Sequence, residues 1–115
     1  MNFILRLLVA TLAIIITTYI LPGVKVDNFL IAILVAAVLS FLNAFLKPLL
    51  VLLTLPFTIV TLGLFLLVIN ALIIILTAFI VPGFHVDGFL WALAFSIILS
   101  LVMMLLEWIA GESRK

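Results

Sequence analysis

Long apolar runs alternate with short polar interruptions along this chain, and the interruptions recur in one order. The first run spans Phe3 to Leu21 and is closed by Pro22-Gly23. After Val24-Lys25-Val26-Asp27 comes a second run, Phe29 to Leu46, ended by Lys47-Pro48. A third run, Leu62 to Val81, is closed by Pro82-Gly83, and a fourth spans Phe89 to Trp108. A hydrocarbon layer about 30 Å thick needs about 20 helical residues to cross it. Each run therefore predicts one spanning helix. Residues 49–60 are apolar but too few for an ordinary span, and Pro56 interrupts them. Joined to the next run they would be too long for one untilted helix. They predict a short re-entrant or interfacial segment that breaks near Pro56. Thr54, Thr58 and Thr61 are placed to satisfy backbone groups freed there.

The two outer turns are copies of one another. Pro22-Gly23-Val24-Lys25-Val26-Asp27-Asn28-Phe29-Leu30 returns sixty positions later as Pro82-Gly83-Phe84-His85-Val86-Asp87-Gly88-Phe89-Leu90. Thr17, Ala32, Leu39 and Ser40 are also matched by identical residues at that offset. Proline, glycine and aspartate are rare in this chain, so their recurrence marks an internal duplication rather than shared apolar composition. Proline ends a helix and glycine admits the turn that follows. Pro22, Gly23, Pro82 and Gly83 are thus the turn residues. Asp27 and Asp87 stand where helix N-caps are expected. The expected fold is an all-α integral membrane protein of four transmembrane helices. It is one membrane domain over 1–115: repeat 1 over about 3–47, a linking segment over about 48–61, repeat 2 over about 62–108 and a polar tail over 109–115.

Composition agrees with lipid as the solvent. Hydrophobic residues make up 70% of the chain and charged residues 8%, against about half and about a quarter in soluble domains. A net charge of +1 gives no basis for a nucleic-acid partner. There is no cysteine, so neither a disulfide framework nor a thiolate metal site exists. No small-x-small cleavage site follows the first run, which is read as a retained span. With four spans, Arg6, Lys47, Arg114 and Lys115 share the side of the termini, against Lys25 on the side of the turns. The positive-inside rule then places both termini in the cytoplasm. If residues 49–60 also crossed there would be five spans and inverted halves, an arrangement known in transporters but disfavoured by this charge distribution.

Polar motifs also carry a family resemblance. Leu21-Pro22-Gly23 with Val26-Asp27-x-Phe29, then Phe41-Leu42-Asn43-Ala44-Phe45-Leu46-Lys47-Pro48, Leu55-Pro56, Leu62-Gly63-Leu64-Phe65, Asn70-Ala71 and Pro82-Gly83-Phe84 follow in the order of a family of small bacterial membrane proteins. The chain resembles phage-holin family 4, superfamily IV, over nearly its whole length. The resemblance implies four spans in the bacterial inner membrane and, from the holin name, a membrane-permeabilising oligomer. Many members resemble chromosomal housekeeping or envelope-stress proteins instead. The family offers no catalytic residues to carry over.

Candidate chemistry is sparse. Asn43 and Asn70 are polar groups expected within the membrane. They suit a pore or substrate contact, or an interhelical hydrogen bond that fixes packing. Lys47 and Glu107 are equivalent at the sixty-residue offset and could form a charge pair at the membrane boundary, as a gate or as a simple interfacial pair. Ala32, Ala36, Ser40 and Ala44 form a small-residue stripe that would let helices approach closely. His85, the single histidine, lies on an outer turn. It could sense protons or be incidental, and only Asp87 is nearby in sequence as a second metal ligand. No nucleophile elbow or phosphate loop is visible. No charged residue lies near mid-membrane, where proton pathways declare themselves. The expected protein is non-enzymatic, without cofactor or metal, in contact with lipid and self-associating. Its rivals are a small transporter or channel using Asn43, Asn70 and the Pro56 segment, and an accessory subunit of an envelope-stress system.

Overall fold

The structure, a computed structural model, describes residues 2–61 and 63–113, with side chains described as far as 111. Helix α1 (Phe3–Ile20) begins beneath Asn2, whose side chain accepts the Leu5 N–H at 2.8 Å. Its buried face is Thr11, Ala13, Ile14 and Thr17. The threonine hydroxyls donate to carbonyls one turn back, Thr11 to Leu7 at 2.8 Å and Thr17 to Ala13 at 2.7 Å. That bond lets a hydroxyl enter an apolar interface without an unmet donor. Leu21 leaves the helix in an extended conformation and leads into the short strand β1 (Val24–Val26).

Helix α2 (Phe29–Leu53) is capped by Asn28, whose side chain accepts the Ile31 N–H at 2.9 Å. This corrects the expectation that Asp27 caps it. Asn28 is the last residue before the helix, so only its oxygen can fold back over the first turn. The matching expectation for Asp87 fails for the same reason of register: Gly88 stands between it and the next helix. Nor does α2 end at Lys47-Pro48; Pro48 lies inside it. The proline ring has helical φ and removes one hydrogen bond, to the carbonyl of Ala44.

Thr54 separates α2 from α3 (Leu55–Val60), which has Pro56 in its first turn. Thr54, Thr58 and Thr61 hydroxyls donate to the carbonyls of Leu50, Thr54 and Phe57 at 2.7, 3.1 and 2.9 Å. Helix α4 (Leu64–Ile80) follows Gly63 and starts two residues later than expected, Leu62 lying outside the described residues. It leads to strand β2 (Phe84–Val86) and helix α5 (Phe89–Ser113). Helix α5 does not stop at Trp108, so 109–113 of the expected tail is helical; Arg114 and Lys115 lie outside the described residues.

Among the described residues three helices are long and apolar enough to cross a membrane: Phe3–Ile20, Phe29–Leu53 and Phe89–Gly111. Helix α4 is apolar and shorter, at 17 residues. The helices pack in the ring order α1, α2, α4, α5, so α1 faces α4 and α2 faces α5 across the diagonals. The core is a column of Ile14, Val35, Ile69, Ile73 and Phe95 with the alanines Ala13, Ala32, Ala71 and Ala92 between them. Of the small-residue stripe on α2, Ala32 and Ala36 are spent inside this bundle, while Ser40 and Ala44 remain exposed.

The strands close one end of the bundle. They pair antiparallel, with Val24 opposite Val86, Lys25 opposite His85 and Val26 opposite Phe84. Two further backbone bonds extend the ladder, Asp27 N–H to Gly83 O at 3.0 Å and Asp87 N–H to Gly23 O at 2.9 Å. Both turns therefore lie together. Each turn glycine is covered by a side chain from the opposite hairpin. The Trp91 ring occupies the space a Cβ on Gly23 would need, and Ile31 and Asp27 press on Gly83, whose φ is 96°. Only glycine admits such close approach at these points.

Candidate functional site

The end of the bundle away from the strands, where α1 begins and α2 and α5 emerge, is where polar side chains collect. On α2, Ser40, Asn43 and Lys47 recur at a spacing of three and four and so share one helix face. On α5, Ser96, Ser100, Met103 and Glu107 do the same. The diagonal placement of α2 and α5 turns these faces toward one another across the bundle.

Two cavities result, one on each side of the diagonal. The smaller, about 70 Å³, includes Asn43, Lys47, Asn70, Ser96 and Ser100 in its lining. The larger, about 620 Å³, is a groove between α1, α2 and α5. Ser40, Asn43, Ser100, Glu107 and Trp108 supply its polar lining, and Ala10, Ile14, Ala36, Met103 and Met104 are among its apolar walls. Leu39, Asn43, Leu99 and Ser100 line both cavities. The groove is open-sided: Ser40, Asn43 and Ser100 are exposed, and Met104 and Trp108 are 64% and 65% exposed.

The structure thus joins residues that the sequence leaves apart. Asn43 and Asn70 meet at one small cavity, although they are not equivalent in the repeat. Among the described residues neither amide makes a side-chain hydrogen bond, so the interhelical bond expected of them is absent. The two serines are satisfied locally, Ser96 donating to Leu93 O at 2.9 Å and Ser100 to Ser96 O at 2.8 Å. Lys47 and Glu107 are the candidate charge pair of the membrane boundary. No ion pair joins them among the described residues, and they line different cavities that share Asn43. Their helices are diagonal rather than adjacent, which keeps them apart.

At the opposite end, His85 Nε2 lies 3.4 Å from Asp27 Oδ1, both side chains being more than half exposed. The carboxylate beside the histidine is therefore Asp27 and not its sequence neighbour Asp87. Antiparallel pairing brings the residue two beyond Lys25 next to the partner of Lys25. Sequence reasoning missed the groove as a unit. Its signal was present in the shared helical spacing of Ser40, Asn43 and Lys47 with Ser100 and Glu107. What the sequence lacks is which helices are diagonal.

The chain is similar to known bacterial proteins. It is 44% identical over 99 residues to the uncharacterized membrane protein YvlD of Bacillus subtilis (strain 168), a match covering 85% of this chain and 82% of the relative. It is 42% identical over 80 residues to an uncharacterized protein of Streptomyces coelicolor, covering 66% of this chain and 64% of the relative. No solved structure matches it. With three long apolar helices and a shorter fourth ringed about one core, and a family match over residues 1–105, the chain belongs to the family described as mycobacterial 4 TMS phage holin, superfamily IV.

Proposed function

We propose that the chain is a non-enzymatic, holin-like protein of the bacterial cytoplasmic membrane that works as an assembly of copies and permeabilises the bilayer. One observation carries this reading. A single protomer offers no continuous polar path among its described residues. The polar cavities end at the level of Ala36 and Ser96. Beyond them Val35, Phe95, Val24 and Phe84 pack as closed core. Passage of solutes then needs a space between copies rather than within one. The protomer is a duplicated hairpin: α1 and α4, β1 and β2, and α2 and α5 stand at or within one residue of the sixty-residue offset. The strand register is itself two-fold symmetric, with Lys25 opposite His85 at its centre. On this reading residues 48–61, the end of α2 with α3, are a re-entrant or interfacial link between the halves. The excess of Lys and Arg away from the turns supports cytoplasmic termini.

Overproduction in a bacterial host tests the assembly. The expected outcome is dye leakage together with cross-linked multimers in the membrane fraction. High membrane levels with neither would reject it. The meeting of Asn43 and Asn70 at one cavity favours a second reading, a narrow transporter or channel through each protomer. In that case Asn70→Leu removes flux while leaving the fold intact; under the assembly reading it leaves leakage unchanged.

A further inference from the structure

The groove between α1, α2 and α5 has a graded chemistry that the assembly reading does not use. Its depth can be measured along α2 and α5, which both start at the strand end. Ala36 lies about 10 Å along α2, and Ser40 and Ser100 lie about 16 Å along their helices at 1.5 Å per residue. Glu107 and Lys47 lie about 27 Å along, the far boundary of a layer about 30 Å thick. The groove therefore runs from mid-membrane to the headgroup level of one leaflet. Its deep part is apolar, with Ala36, Leu39 and Leu99. Its mouth holds a carboxylate, Glu107, beside Trp108, an indole that favours this level. Lys47 lines the adjoining cavity at the same depth, and Asn43 lines both. Among the described residues neither charge is paired, and the two sit on opposite sides of a common amide.

We propose that this groove seats one phospholipid of the terminal-side leaflet whose head carries a primary amine, as in phosphatidylethanolamine. The ammonium is met by Glu107, the phosphate faces the Asn43 amide, and one acyl chain lies along Leu39 and Leu99. The occupant follows from charge complementarity. An anionic head would meet Glu107 as a like charge, and a trimethylated head cannot donate hydrogen bonds to the carboxylate. The volume of about 620 Å³ falls within the range of small-molecule sites, about 300–1,000 Å³. The proposal concerns one protomer and stands whether or not copies assemble.

The test uses the full chain in vesicles. Trp91→Phe leaves Trp108 as the one indole of the two present. Vesicles of phosphatidylcholine receive equal mole fractions of brominated phosphatidylethanolamine, phosphatidylglycerol or phosphatidylcholine, and Trp108 quenching is read. Cross-linking in the same samples reports assembly separately. The expected result is a preference of about three- to fivefold for the ethanolamine lipid, the scale of one exposed charge pair. Glu107→Gln abolishes that preference, and Lys47→Gln, at a residue of the other cavity, leaves it unchanged, with helicity by circular dichroism unchanged in both. Quenching that follows mole fraction for all three heads overturns the proposal. So does preference for phosphatidylglycerol, or an ethanolamine preference that survives Glu107→Gln.

Discussion

At the scale of single residues, helix ends are decided by which oxygen can reach back over the first turn. Asp27 and Asn28 are adjacent, and both residue types are good N-caps. Extended backbone at Asn28 (φ −162°, ψ 178°) points its side chain at the Ile31 amide. Asp27 is held instead in the strand ladder, its N–H on Gly83 O at 3.0 Å and its carboxylate beside His85. Asn28→Ala is therefore expected to destabilise the chain by about 1 kcal/mol, with faster amide exchange in the first turn of α2. Asp27→Ala should leave that turn unaffected. Equal exchange in both variants would refute the assignment. Asparagine and aspartate one position apart are not separable from sequence, because the choice depends on where the strand ends.

Between elements, the contact that ties one hairpin to the other is the pair of glycines under Trp91 and Ile31. A side chain at position 23 displaces the Trp91 ring, and overpacking of this kind costs about 1–3 kcal/mol. Gly23→Val should lower the thermal midpoint in detergent, and Trp91→Ala in the same chain should restore part of the loss. If Gly23→Val is neutral, the interlock is not a source of stability. Most element boundaries were legible: four apolar runs, two Pro-Gly turns and the break near Pro56 all follow from local chemistry. The exceptions share one cause. Pro48 and the polar stretch after Trp108 are local stop signals, yet helix continues through both. The glycine costs a helix only about 1 kcal/mol, and the proline, at about 3 kcal/mol, lies in the last two turns of α2, beyond the packed middle of the bundle.

For the whole molecule, the strand pairing puts Lys25 against His85. The chain has no native cysteine, which makes a clean experiment possible. Lys25→Cys with His85→Cys should join within one chain under a short thiol cross-linker, without forming dimers. In intact cells each single cysteine should be labelled by the same membrane-impermeant reagent, and Lys47→Cys should be protected from it. Labelling of positions 25 and 85 from opposite sides would refute the fold and the proposed topology together. Lipid surroundings, the number of long apolar runs and the recurrence of the turns are determined by the sequence alone, because hydropathy and Pro-Gly chemistry act through near neighbours. Tertiary structure alone decides that the helices ring in the order α1, α2, α4, α5. That order sets α2 across from α5, brings Asn43 to Asn70 and holds Lys47 and Glu107 apart. The physical reason is that every helix here is apolar nearly all round. The polar faces of α2 and α5 are short and nearly alike, so they single out no neighbour, and shape selects the partners: small alanines beside isoleucines in the core and glycine against tryptophan.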